Sequence, residues 1–337
     1  MGPTDGQFSL FDLADVHAAE PMAKVAAAAP RFTLRAVTQP DSAAFDEAYR
    51  AMDAFFGPRG EIERRETLQG LVREPDRVGH DGLQIHYHLV TAHDENGDLA
   101  GARDCFVTVS EARRVCLVFL SHALVLPAYR RTGLAVILRS MPATLGRAAI
   151  KETFGADRAA DLLLAAEMEP VDPTDPDTVV RLLAYGRSGF SVIAPDHLPY
   201  LQPDFRDLAA LGVPARPIPL MPVVRWVGNE DRVEVPNRLA MAFDRHIHGV
   251  HGLFVDAAQM QVLCEHAEGA LGARDPVPMV RIPAMGAPLI GLAPLLRSVV
   301  LPLYPPELQG QGKGPGDPAA EREALASMVL RAPGTPV

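Results

Sequence analysis

The sequence predicts an α/β chain whose mixed, mostly antiparallel sheet is flanked by helices, and three observations predict it. The segment Cys116 to Leu126 is β-rich and almost uncharged, and it ends at Pro127, which removes a backbone donor and stops a strand. Arg130-Arg131-Thr132-Gly133-Leu134-Ala135 follows without a linker and starts a helix. Finally, Ile85 to Ala92 and Ala100 to Val109 flank Asp94-Glu95-Asn96-Gly97-Asp98, where Asn-Gly signals a hairpin.

The remaining elements follow in order. Met1 to Pro30 reads as a polar, Ala-rich leader, and Arg31 to Val37 as a first strand. Asp41 to Phe56 has helical spacing with Asp41 as its cap, and Glu61 to Glu74 is a second, highly charged helix. Pro142 should kink or interrupt the helix that begins near Gly133. Asp161 to Glu169 has the length of a buried strand. After a Pro-rich stretch come a strand at Leu220 to Val227, helical patterns at Asn237 to His248 and Asp256 to Leu271, a strand at Pro278 to Pro283 and an apolar segment at Leu289 to Leu303.

Composition narrows the function. The 337 residues exceed one typical domain of roughly 100–200 residues. A net charge of -10 argues against general nucleic-acid binding, which needs a basic surface. No apolar run approaches the roughly 20 residues that span a bilayer. Acidic residues Asp5, Asp12 and Asp15 replace the basic start of a secretory signal, and Cys105, Cys116 and Cys264 are too few and too scattered for a disulfide framework or a zinc site. A cytoplasmic protein without a metal is expected.

The junction at residues 116–135 is a site for a pyrophosphate, because the unpaired amides of a first helical turn carry partial positive charge and small residues let an anion approach. Val125, Pro127, Tyr129, Arg130, Gly133 and Ala135 match a strand ending in Val-x-Pro-x-Tyr that runs into [Gln/Arg]-x-x-Gly-x-[Gly/Ala]. About fifty residues later, Tyr185-Gly186-Arg187-Ser188-Gly189-Phe190 supplies a Tyr, three residues, then Gly-Phe. In these motifs and in the order of elements from Arg31 to about Ala194 the chain resembles the GNAT acyltransferase superfamily. Thr178 departs from the pattern, standing where many members have Asn.

The resemblance implies a GNAT core over 31–229, with residues 1–30 as leader and 230–337 as a C-terminal α/β extension. It implies acetyl-CoA, or another acyl-CoA, as cosubstrate, bound by Leu124, Val125 and Leu126 beside the thioester and by Arg130, Arg131, Thr132, Gly133, Leu134 and Ala135 at the pyrophosphate. The acceptor would be a small-molecule or peptide amine that attacks directly in a ternary complex, and Tyr185 would protonate the departing thiolate. Three residues are candidates for the base. Glu167 and Glu169 lie two apart, on one face of a strand, in an apolar setting that would raise one pKa; a solvated strand end is the competing reading. His122 is the other candidate, or else a core histidine. A noncatalytic acyl-CoA sensor and a longer-chain acyltransferase remain as alternatives.

Two further motifs are read as structural. Gln309-Gly310-Gln311-Gly312-Lys313-Gly314 repeats the pyrophosphate pattern but sits among prolines with too little chain after it, and reads as a Gly/Pro loop. His246, His248 and His251 lack the i, i+4 histidine pair of helical zinc sites and read as helix-end residues facing solvent or an interface. Leu289 to Leu303 should cover the acceptor entrance or form a homo-oligomer interface.

Overall fold

The computed structural model describes residues 10–59, 61–79, 82–156, 160–169, 176–205 and 215–284. The predicted apolar segment Leu289 to Leu303 and the loop Gln309 to Gly314 lie outside the described residues. The chain divides into two compact units, Met1–Leu164 and Ala165–Val337.

In the first unit, strand β1 (Thr33–Ala36) pairs antiparallel with β3 (Gln84–His93), β3 with β4 (Leu99–Ser110), and β4 with β5 (Val115–Val125), while the short β2 (Asp76–Val78) pairs with β3. The hairpin between β3 and β4 forms where Asn-Gly predicted it. Gly97 adopts φ +89°, and Asp94 Oδ1 accepts the amides of Asn96 and Asp98. Every residue of β4 is buried, so this central strand carries Arg103 and Asp104 in the core.

Helix α2 (Ala43–Phe56) is capped by Ser42, whose Oγ accepts the Phe45 amide, rather than by Asp41. Asp41 instead accepts from Gln69 of α3 (Arg65–Arg73). Helix α4 (Leu134–Phe154) runs through Pro142 as one 21-residue element and buries most of its length against β4 and β5. At Gly146 an added Cβ would lie 2.4 Å from Leu162 Cδ1 and 3.0 Å from Val118, which is how closely this helix rides on the sheet. Of the stretch read as a leader, residues 10–30 are described and pack in this unit: α1 (Met22–Ala28) lies on α4, Arg147 pairs with the buried Asp15 at 2.7 Å, and Arg139 with Glu20 at 2.8 Å.

Strand β6 (Asp161–Met168) crosses the division between the units. In the second unit, β7 (Ser191–Ile193) lies between β10 (Met221–Trp226) and β12 (Val277–Arg281), antiparallel to both, and β11 (Glu234–Val235) edges β12. Strands β8 (Leu201–Gln202) and β9 (Ile218–Pro219) make a separate ribbon. Helix α5 (Pro176–Arg187) precedes β7, and α6 (Asn237–His251) packs on α7 (Ala257–Leu271), which Asp256 caps through its carboxylate. Among the described residues, no helix is long and apolar enough to cross a membrane.

Candidate active site

The junction that dominates the sequence is a left-handed turn. After β5, Pro127–Tyr129 makes a short 3-10 turn, Arg131 adopts φ +64° and Gly133 φ +106°, and α4 begins at Leu134. Thr132 Oγ donates to the Tyr129 carbonyl at 2.7 Å, and the Tyr129 hydroxyl donates to Asp94 Oδ2 at 2.9 Å, tying the turn to the β3–β4 hairpin. Arg130, Arg131 and Ala135 are exposed. Among the described residues the amides of Arg131, Thr132, Gly133 and Ala135 make no hydrogen bond, so the helix start keeps the donors an anion needs.

The glycine has a different role from the one its size suggested. A Cβ on Gly133 would lie 2.8 Å from Ala28 Cβ and 3.3 Å from the Lys24 carbonyl oxygen, so α1 covers this residue. Gly133 admits α1 and the positive φ, while the side left open to a ligand is that of Ala135.

Upstream, β5 is bulged. Arg103 pairs with Ala123 and Cys105 with Leu120, so Ser121 and His122 together oppose the single residue Asp104. The Leu126 amide donates to the Ala100 carbonyl at 3.0 Å and is committed to β4. Strand alternation turns the Val125 amide away from β4. An open groove lined by Ala43, Glu47, Arg50, Ala51 and Leu99 reaches Leu126.

The bulge brings His122 onto the buried Asp104. Asp104 Oδ1 accepts the His122 amide at 2.7 Å and His122 Nδ1 at 3.0 Å, while Oδ2 accepts the Tyr87 hydroxyl at 3.1 Å. His122 Nε2 faces the Glu61 carbonyl. Both ring nitrogens therefore meet acceptors, and both must carry protons. Burial works against that charge, but the Asp104 carboxylate, its hydrogen bond and the charge of Glu63 outweigh it and push the imidazole up to about 9. In this arrangement His122 has no lone pair to offer an amine. It clamps the α2–α3 connection to the bulge.

In the second unit Glu167 is equally engaged. Tyr200 Oη donates to its Oε1, Gln202 Nε2 to Oε2 at 2.8 Å, and His251 Nε2 stands 2.9 Å from Oε1. Burial raises its pKa, but the His251 charge and the three hydrogen bonds reverse the sign, so the carboxyl sits below the usual range instead of above it. Strand β6 ends at Met168, and Glu169 is exposed beyond it.

Tyr185 lies in the last turn of α5, half-buried, its ring edge-on to Phe190 with centroids 5.0 Å apart. The spacing from Tyr185 to Gly189-Phe190 has a local cause. The Phe190 amide donates to the Tyr185 carbonyl and the Gly189 amide to that of Gly186, with Gly189 at φ +81°, which is the hydrogen-bond pattern that ends a helix on a left-handed residue. Thr178, one turn into α5, is buried.

The histidines of α6 correct the sequence reading. His246, His248 and His251 are all buried, and so is Asp244. Ala240, Phe243, Asp244, Ile247, His248 and His251 form one i, i+3, i+4, i+7 stripe, so the apolar residues that share the face were the signal that His248 and His251 turn inward.

No protein-family model and no curated protein matches the chain. Among solved structures it is similar to the glucosamine N-acetyltransferase region of a fungal multi-domain GH3 beta-N-acetylglucosaminidase, with 18% identity, 48% of this chain and 17% of that one covered, and a TM-score of 0.33. It is also similar to an aminoglycoside acetyltransferase from an uncultured soil metagenomic sample, solved with sisomicin (16% identity, 43% and 82% covered, TM-score 0.30). A third is a GNAT-family acetyltransferase from Staphylococcus aureus (11% identity, 58% and 99% covered, TM-score 0.35). The chain thus spans about a sixth of the length of the first of these proteins.

Proposed function

We propose that the protein is a GNAT-type N-acyltransferase that moves an acyl group, acetyl in the simplest case, from an acyl-CoA to a primary amine. The observation that carries this reading is the turn Arg130 to Ala135, where uncommitted amides and two exposed arginines stand at the start of α4, directly after the bulged β5. A diphosphate is the ligand class such a turn suits. In the reaction, the amine nitrogen forms a bond to the thioester carbonyl carbon, the carbon–sulfur bond breaks, and Tyr185 gives its hydroxyl proton to the leaving thiolate. The amine proton leaves to water, since His122 and Glu167 are held by other partners. Glu169 is the carboxylate still open to solvent in that stretch.

A screen of primary amines with acetyl-CoA, read by release of free thiol, tests the activity. Once an acceptor is found, Tyr185→Phe should lose about 100- to 10,000-fold in turnover with acetyl-CoA affinity kept. Wild-type turnover in that variant, where chemistry limits the rate, would remove the general-acid role. The engagement of both His122 nitrogens and of Glu167 favours a second reading, a noncatalytic acyl-CoA binder. That reading predicts CoA binding without thiol release from any amine.

A further inference from the structure

On α6, Asp244 and His248 lie one turn apart, and Cys264 of α7 faces them. One carboxylate oxygen of Asp244, one ring nitrogen of His248 and the Cys264 sulfur all lie within 4.8 Å of one another. Asp244 is 0% exposed, and among the described residues the group that faces its oxygens is the His248 imidazole. Its Oδ1 stands 3.1 Å from His248 Nδ1 without hydrogen-bond alignment. A buried carboxylate without an aligned donor is costly, and a cation removes that cost most directly.

His248 is oriented as a ligand would be. Its Nε2 faces the Leu201 carbonyl at 3.1 Å, and its ring stacks on Tyr200 with centroids 5.1 Å apart at 15°. A carbonyl can only accept, so Nε2 carries a proton and the nitrogen facing Asp244 and Cys264 is Nδ1. Metal-bound imidazoles are held in this way, by donating the second ring N–H to a carbonyl or carboxylate.

We propose that Asp244, His248 and Cys264 bind one zinc ion through a carboxylate oxygen, Nδ1 and a thiolate. Oxygen and nitrogen ligands at about 2.0–2.1 Å from a tetrahedral zinc are about 3.3 Å apart, close to the 3.1 Å between Asp244 and His248. The mixed oxygen, nitrogen and sulfur set favours zinc over the oxygen-seeking magnesium and calcium. One carboxylate and one thiolate also neutralise the dication, so the buried group carries no net charge. Cys264 is only half-buried, which leaves that side for a water as fourth ligand. The ion joins α6 to α7 and, through His248, to β8. All three residues belong to the second unit, so the site stands whether or not the acyl-transfer reading does.

The full chain, purified with zinc and then desalted, should hold about one zinc per chain. The cobalt(II) form should show a sulfur-to-metal charge-transfer band that Cys264→Ser abolishes. Zinc affinity, measured against a chromophoric chelator, should fall at least about tenfold in Cys264→Ser and in Asp244→Asn, with circular dichroism confirming the fold. Cys105 and Cys116 are buried in β4 and β5 with thiols pushed up by burial, Cys105 to about 12, so neither should supply the band. A wild-type chain that retains no zinc and binds none at micromolar concentration would overturn the site. So would a charge-transfer band that persists in Cys264→Ser.

Discussion

Each unit buries an aspartate against a histidine, but the two pairs differ in what completes them. Around Asp104 and His122 the bulge amide, the Tyr87 hydroxyl and the Glu61 carbonyl fill the surrounding hydrogen-bond sites. Around Asp244 and His248 the carboxylate is faced by the imidazole alone, at 3.1 Å and without hydrogen-bond alignment. The ion pair alone therefore does not define the role of either site. A pair whose acceptors are met is a clamp, whereas one that leaves a buried carboxylate bare has room for another ligand.

Removing the carboxylates should show this difference most strongly. Asp104→Ala orphans the imidazolium, the His122 amide and the Tyr87 hydroxyl, and should cost about 3–5 kcal/mol in urea denaturation. Asp244→Asn in metal-free protein keeps an acceptor oxygen and removes only the charge facing His248, so it should cost clearly less than Asp104→Ala. Equal losses at the two sites would break the comparison.

A smaller effect should appear with pH. The folded pKa of His122 is raised to about 9 from 6.5, so its contribution is fully present below about pH 6.5 and is lost as pH rises through about 9. His122→Gln should cost about 2 kcal/mol at pH 6, and the gap to wild type should close by pH 10. A gap that does not change with pH would mean that the imidazole is neutral in the fold.

Much of the first unit was legible in the sequence because its signals are local. Asn96-Gly97 fixes the hairpin, and Pro127 follows the end of β5. The Asp104–His122 pair was not legible, since it depends on strand register and on one extra residue in β5. The built-in role of Met22–Ala28 was hidden because seven residues rich in alanine show no clear period and gain their place from α4. Glu167 was found as a residue but misjudged as an environment, because Tyr200, Gln202 and His251 reach it from 33 to 84 positions away. Cys264 was set aside for its spacing, although two packed helices need only align their faces to bring it to His248.

Calorimetric titration of CoA into wild type and Ala135→Glu tests the central claim most directly. Ala135 is exposed on the first turn of α4, and a glutamate suits a helix start, so the variant should fold. Its carboxylate would occupy and repel the place of the diphosphate. Wild type should bind CoA, and Ala135→Glu should bind it at least about tenfold more weakly. Equal affinities, or a wild-type chain that binds no CoA at millimolar concentration, would contradict the account.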